Sequence, residues 1–376
     1  GGAEALTQER LDTALLLART GVALDETAAT QGNLLAILMR TPAALGVIDY
    51  GRRLFAAAVS PDGRLMAIGD DTGRVTVYRT ATRRPLGRPY WIRQGFIQHL
   101  RFSPDGATLA IGSTDPTDEL QSAVVDLIDP RTRELRQRAE LPAFPERAAA
   151  VIANIVFLAG SGDLLVALIH ADYPNAPASL LYRVDAATGA VESGLRVGEH
   201  STLLPSLTAD QERLFLTSVR DNRTWEIDPK GLRVRRSYPV GDFAGAVSPD
   251  GRLFALGSRT GRVRLLDLNS GQVRSIEGRH DGSVLRTTFT PDGGTLVTSG
   301  NDGQVIAWDV ERGTIVERFA GHSGEVWGLD LSADGRTLVT SATDGRGIVW
   351  DLGGDRRLDR DLNSAFLRPA RRGGQQ

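Results

Sequence analysis

Two consecutive stretches near the C-terminal end of this 376-residue chain carry the same residues at the same spacing. The first reads His280, Thr298, Asp302 and Trp308-Asp309; the second reads His322, Thr340, Asp344 and Trp350-Asp351. The successive intervals are 18, 4, 6 and 1 residues in both, which sets a period of 42. A fixed period of this size marks an architecture built by stacking one supersecondary unit, because a single unit cannot bury its own apolar face. The doubling also bears on chemistry. A catalytic group is needed once, whereas a structural fastener is needed in every unit.

A turn motif counts the units. Ser60-Pro61-Asp62-Gly63, Ser103-Pro104-Asp105-Gly106, Ser248-Pro249-Asp250-Gly251 and Thr290-Pro291-Asp292-Gly293 are near-identical. Ser332-Ala333-Asp334-Gly335 and Thr208-Ala209-Asp210-Gln211 are variants, and Ser161-Gly162-Asp163 is a weaker seventh. In such turns Pro presets φ, Asp bonds its own backbone and Gly accepts positive φ. The seven Asp residues lie 43, 58, 47, 40, 42 and 42 apart, so the second and third intervals carry insertions. Short apolar runs follow the turns, as at 65–68, 109–111 and 253–256. One whole unit reads as four strands, at 243–247, 253–257, 263–268 and 273–276, separated at hairpin spacing. Four short antiparallel strands recurring every ~40 residues form the blade of a β-propeller.

The units resemble WD repeats. The residues that carry the likeness are Gly321-His322 (Arg279-His280 in the preceding unit) and the closing pairs Trp308-Asp309 and Trp350-Asp351. The likeness spans residues 43–352 and is strongest in the last two units. Elsewhere the Trp slot holds Tyr78, Ile128, Val184, Ile227 or Leu266; the following Asp persists as Asp129, Asp185, Asp228 and Asp267 but is Arg79 in the first unit. The resemblance implies seven blades, matching the turn count. The expected fold is therefore all-β: a seven-bladed WD-repeat β-propeller over residues 43–352, preceded by a short α-helical pair. The last unit has three strands of its own, so residues 43–48 are expected to supply the fourth and hide the edges of the ring.

Residues 1–42 do not fit the repeat. Leu11, Leu15, Ala18 and Val22 recur at helical spacing, as do Leu34, Ile37 and Leu38, with Thr41-Pro42 as a stop. This helical pair reads either as a cap on the ring or as the end of an upstream helical arm. The run Asn33-Leu34-Leu35-Ala36-Ile37-Leu38-Met39-Arg40-Thr41-Pro42-Ala43 is similar to the arm that precedes the C-terminal propeller of actinobacterial multidomain signalling proteins, of the STAND-class NTPase or transcription-regulator type. Lys230 as the sole lysine agrees with a GC-rich source. The charged segment 353–376 reads as a flexible tail.

Composition narrows the function classes. The chain has no Cys, which removes disulfides and thiolate metal sites. A formal net charge of −2 argues against a general nucleic-acid or membrane-surface binder. No apolar run approaches the ~20 residues of a membrane span, and no secretory signal is visible, so a cytoplasmic location is expected. No G-x-x-x-x-G-K-[ST] or H-E-x-x-H motif occurs, and Lys230 precedes Gly231-Leu232. No cofactor is expected.

His322, Thr340 and Asp344 have the residue types of a hydrolase triad. The resemblance instead implies hydrogen-bonded chains, His280–Thr298–Asp302–Trp308 and His322–Thr340–Asp344–Trp350, in which a buried indole N–H finds its partner. Arg131, Arg133, Arg136, Arg138 and Arg233, Arg235, Arg236 fall on expected outer strands, where charge discourages edge pairing. The irregular units carry the candidate partner site: Trp91, Arg93 and Gln94 before the second unit, Asp115, Asp118 and Glu119 in its insertion, and His170, Asp172, Tyr173 and Asn175 in the next. A Trp, a Tyr and an Arg among carboxylates make a hot-spot set; tolerated surface insertion is the competing reading. The expected function is non-catalytic: a protein-binding scaffold or sensor in a larger bacterial signalling protein. The alternatives are a lactonase- or hydrolase-type propeller enzyme with a channel metal, and the sensor region of a transcription regulator.

Overall fold

The computed structural model describes residues 43–92, 95–114, 123–142, 150–158, 160–170, 177–192, 194–200 and 203–353. The expected helical pair lies outside these residues, as does the tail beyond 353. Among the described residues every regular element is a β-strand, and the strands form seven antiparallel sheets.

Blade five shows how one unit is made. Ala244–Val247, Leu253–Gly257, Val263–Asp267 and Val273–Ser275 pair in sequence order as a meander. The two middle strands are mostly apolar and mostly buried, while the outermost strand is exposed throughout. Burial on both faces is what a sheet stacked between two others requires. The inner strands, Leu54–Val59, Phe96–Phe102, Ala150–Phe157, Leu203–Leu207, Ala244–Val247, Val284–Phe289 and Val326–Leu331, touch one another in that cyclic order, and the last contacts the first. Six of them carry a register shift against the second strand; Ala244–Val247 pairs without one. Extra residues of this kind twist and bend a strand.

Closure uses the two ends of the repeat region. Ala44–Asp49 pairs antiparallel with Arg346–Asp351, in one sheet with Thr337–Ala342 and Val326–Leu331. Ala44 faces Trp350, and Asp49 faces Arg346. Blade one has five strands. Besides Arg84–Pro85, the pair Tyr90–Trp91 joins Arg74–Arg79 through Arg74↔Trp91 and Val75↔Tyr90.

The turns repeat one hydrogen-bond pattern. Ser60 Oγ donates to Asp62 Oδ1 at 2.6 Å and accepts from Leu65 N–H at 2.9 Å, while Asp62 accepts from Arg64 N–H at 3.1 Å. The same closure recurs at Ser103/Asp105, Thr208/Asp210, Ser248/Asp250, Thr290/Asp292 and Ser332/Asp334. The Asp after the Trp slot closes the opposite hairpin: Asp129, Asp185 and Asp267 each accept backbone N–H groups two and three residues on. Turn-making explains why that Asp outlasts the Trp in the weaker units.

Candidate functional site

In blade six, Trp308 Nε1–H donates to Thr298 Oγ1 at 2.8 Å, and Thr298 Oγ1 lies 2.7 Å from His280 Nε2. His280 Nδ1 is 3.1 Å from Asp302 Oδ1. Blade seven repeats this with 2.9 Å from Trp350 to Thr340, 2.8 Å from Thr340 to His322, and 3.2 Å from His322 to Asp344. One proton arrangement satisfies every group: indole N–H to hydroxyl oxygen, hydroxyl O–H to Nε2, and Nδ1–H to carboxylate. Asp302 and Asp344 also accept the N–H of Asp281 and Ser323, each at 2.8 Å. Burial pushes both carboxyls up, but the His hydrogen bond and these backbone donors outweigh it and hold them below the usual range.

A nucleophile must be reachable, and these are not. Thr298 and Thr340 are fully buried, with the indole donor on their only oxygen. The arrangement ties the loop that leads into the first blade strand, through the His, to the second and third strands, through the Thr and the Trp.

The other blades solve the same problem with different residues. Tyr50 stands as far before Tyr78 as His280 does before Trp308. Its hydroxyl is 2.5 Å from Thr76 Oγ1, and Arg74 lies 4.0 Å over its ring. Arg74 in turn bonds the fully buried Asp70 at 3.0 Å. Tyr50 thus takes the His position of blade one, and the equal interval was the signal for it. In blade two, buried Asp126 accepts from Arg138 at 2.6 and 2.8 Å and from Tyr90 Oη–H at 2.8 Å. Between blades four and five, Asp242 accepts from Arg264 at 2.7 Å, and its N–H reaches Thr217 Oγ1 at 3.0 Å. Several arginines of the two clusters are therefore held within their own blades: Arg136 on Asp129, Arg138 on Asp126, and Arg233 and Arg235 on Asp228.

Of the candidate partner residues, Trp91 is placed in full. It lies on the added strand of blade one and is 56% exposed, beside Tyr90, whose hydroxyl is anchored on blade two. His170 ends the strand Leu164–His170, but its side chain lies outside the described residues. Arg93, Gln94, Asp115, Asp118, Glu119, Asp172, Tyr173 and Asn175 lie outside them as well.

The inner strands enclose a central channel of about 580 Å³. Its ionisable lining among the described residues is His99, Arg101, Arg286 and Asp330. Arg101 Nη1 bonds Asp330 Oδ1 at 2.9 Å, and the other Asp330 oxygen accepts Val59 N–H at 2.9 Å. Gln98 bonds Thr114 Oγ1 and accepts Ile152 N–H at 2.6 Å, so it joins blades two and three. No group of three His, Asp or Glu residues able to hold a metal occurs among the described residues. No helix there is long and apolar enough to cross a membrane.

A family model described as the anaphase-promoting complex subunit 4 WD40 domain matches residues 245–334. That stretch runs from the inner strand of blade five to the first turn of blade seven and includes His280, Thr298, Asp302 and Trp308. Seven antiparallel sheets closed into a ring, six of four strands and one of five, with a matched segment that holds one of the two doubled networks, together support a WD-repeat propeller.

Proposed function

We propose that this chain is a non-catalytic interaction module that binds a protein partner at the rim between blades one and two. WD40 propellers typically serve as protein-interaction scaffolds and are generally non-catalytic. The observation that carries the choice of rim is Trp91. A large aromatic at 56% exposure, held on a strand of its own, is the residue type that anchors interfaces. The sequence places Arg93 and Gln94 next to it, and Asp115, Asp118, Glu119, His170, Asp172, Tyr173 and Asn175 in the insertions of the following two units.

The wider setting is a bacterial signalling protein, with an NTPase or regulatory domain upstream. The run 33–43 and the near-absence of lysine support that reading. The channel-metal enzyme is disfavoured by the channel itself, whose two arginines face one carboxylate that is already bonded twice.

The test is affinity capture from the source cells with Trp91→Ala/Tyr173→Ala beside the wild type. Loss of captured protein, with a melting temperature within a few degrees of the parent, supports the rim site. Unchanged capture removes it.

A further inference from the structure

Several arginines of the ring reach a carboxylate: Arg74 has Asp70, Arg101 has Asp330, Arg138 has Asp126 and Arg264 has Asp242. Arg286 does not. Among the described residues it donates to the Leu285 carbonyl at 3.0 Å and lies over the ring of Trp327, 5.5 Å from the guanidinium carbon. Burial alone lowers its pKa, to about 10, with no carboxylate acting against the shift. Asp330, the carboxylate of the channel, is occupied by Arg101 and by Val59 N–H.

Two further channel groups are unmet. His99 precedes Pro104, and Arg286 precedes Pro291, by the same interval, which puts both at one depth of the channel. The His99 Nδ1 atom and the Thr287 hydroxyl are buried without a partner. Burial holds His99 neutral, and Arg286 and Arg101 push the same way. Among the described residues the channel therefore carries two positive charges against one negative. An uncompensated charge in such a site is costly, and a counter-ion relieves it.

We propose that the channel binds a small organic monocarboxylate against Arg286. A single negative charge balances the lining. The guanidinium is a planar fork with five N–H donors, and a carboxylate accepts two of them in parallel. Trp327 covers one side, and Phe55 lines the same channel, so an acid with an aromatic or aliphatic body fits better than a hydrated inorganic ion. The proposal is independent of the rim site at Trp91.

The experiment is thermal unfolding of the full chain in sodium benzoate, acetate, phosphate and chloride at matched ionic strength, for wild type, Arg286→Gln and Arg286→Leu. Benzoate is expected to raise the wild-type Tm by about 2–4 °C over chloride, as binding to the folded state requires. It should leave both variants unmoved and quench indole fluorescence in the wild type alone. In chloride the variants should melt no lower than the wild type, since each removes an unpaired charge. A wild-type response equal in all four salts would overturn the proposal. So would a benzoate response that survives in Arg286→Gln, or a Tm loss in chloride shared by both variants, which would show that the guanidinium already has its partner within the fold.

Discussion

Arg101 of blade two bonds Asp330 of blade seven at 2.9 Å, reaching past the inner strand of blade one that lies between them. The pair bridges two blades that do not adjoin, and Val59 N–H locks the same carboxylate from the middle blade. Asp330→Ala breaks both links. Nearly half of the Arg101 side chain is exposed, against 13% for Asp330, so the cost should fall to about 1–2 kcal/mol, below the ~3–5 of a fully buried pair. Denaturant unfolding of both single variants and the double variant checks this. Additive losses would mean the two side chains do not interact.

The hydroxyl of Thr340 is the hub of the blade-seven network, since Trp350 and His322 both depend on it. Thr340→Val keeps the shape and strands two buried polar groups, each worth about 1–3 kcal/mol when unmet. Thr340→Ser keeps the oxygen and should cost less than Thr340→Val. Trp350→Ala, which empties a fully buried site, should cost about 3–5 kcal/mol. Equal stability of the Val and Ser variants would show that the hydroxyl is not the hub.

Much of this was legible in the sequence because turns and fasteners are local. The Ser/Thr-x-Asp turns bond within five residues, so spacing alone counts the blades. The His–Thr–Asp–Trp sets are spelled out twice. The substitutes were harder to read, because Arg74 and Asp126 do the same work with unrelated side chains and only the third dimension makes them equivalent; for Tyr50 the interval to Tyr78 carries the equivalence. Arg286 gave no signal at all: an arginine in an alternating strand looks like any solvated one until the ring closes around it. Trp91 was placed before blade two by the sequence, yet it pairs with blade one, since two residues are too few to show a strand by periodicity.

The pH dependence should have two stages. His99 has a pKa well below its ordinary value because of burial, so the unfolded chain takes up the proton first. That stabilisation is complete above about pH 6.5 and is lost as pH falls from there toward the folded value. Asp62, Asp105, Asp210, Asp292 and Asp334 are held below the usual carboxylate range, chiefly by their Ser or Thr hydrogen bonds. Their contribution is complete above about pH 4 and is lost as pH falls through the lowered values. Melting temperature against pH for wild type and His99→Gln separates the stages. The variant should lose the slope below pH 6.5 and keep the steep fall in acid.

Val47 lies opposite Ile348 in the closing strand, and its two neighbours are paired as well. Its neighbour Ile48 faces Gly347 in the bonding register set by Tyr50 N–H to the Gly345 carbonyl at 2.8 Å, so Ile48→Pro removes a donor from that ladder and should detach Ala44–Asp49 from blade seven. The exposed edge of Arg346–Asp351 would then be free to pair with a second copy. A concentration-dependent dimer in size-exclusion chromatography is the expected result; a monomer that melts like the parent would mean the strand is dispensable.

The same closing strand sets a timetable for synthesis. Ala44–Asp49 leaves the ribosome some three hundred residues before its partner Arg346–Asp351. At about 5–20 residues per second, the interval amounts to tens of seconds. Six blades can form in order during that wait, but the ring cannot latch. A nascent chain therefore carries an unpartnered strand throughout the synthesis of the blades that follow it, and the emergence of Arg346–Asp351, more than the folding of any single blade, is the event that closes the ring.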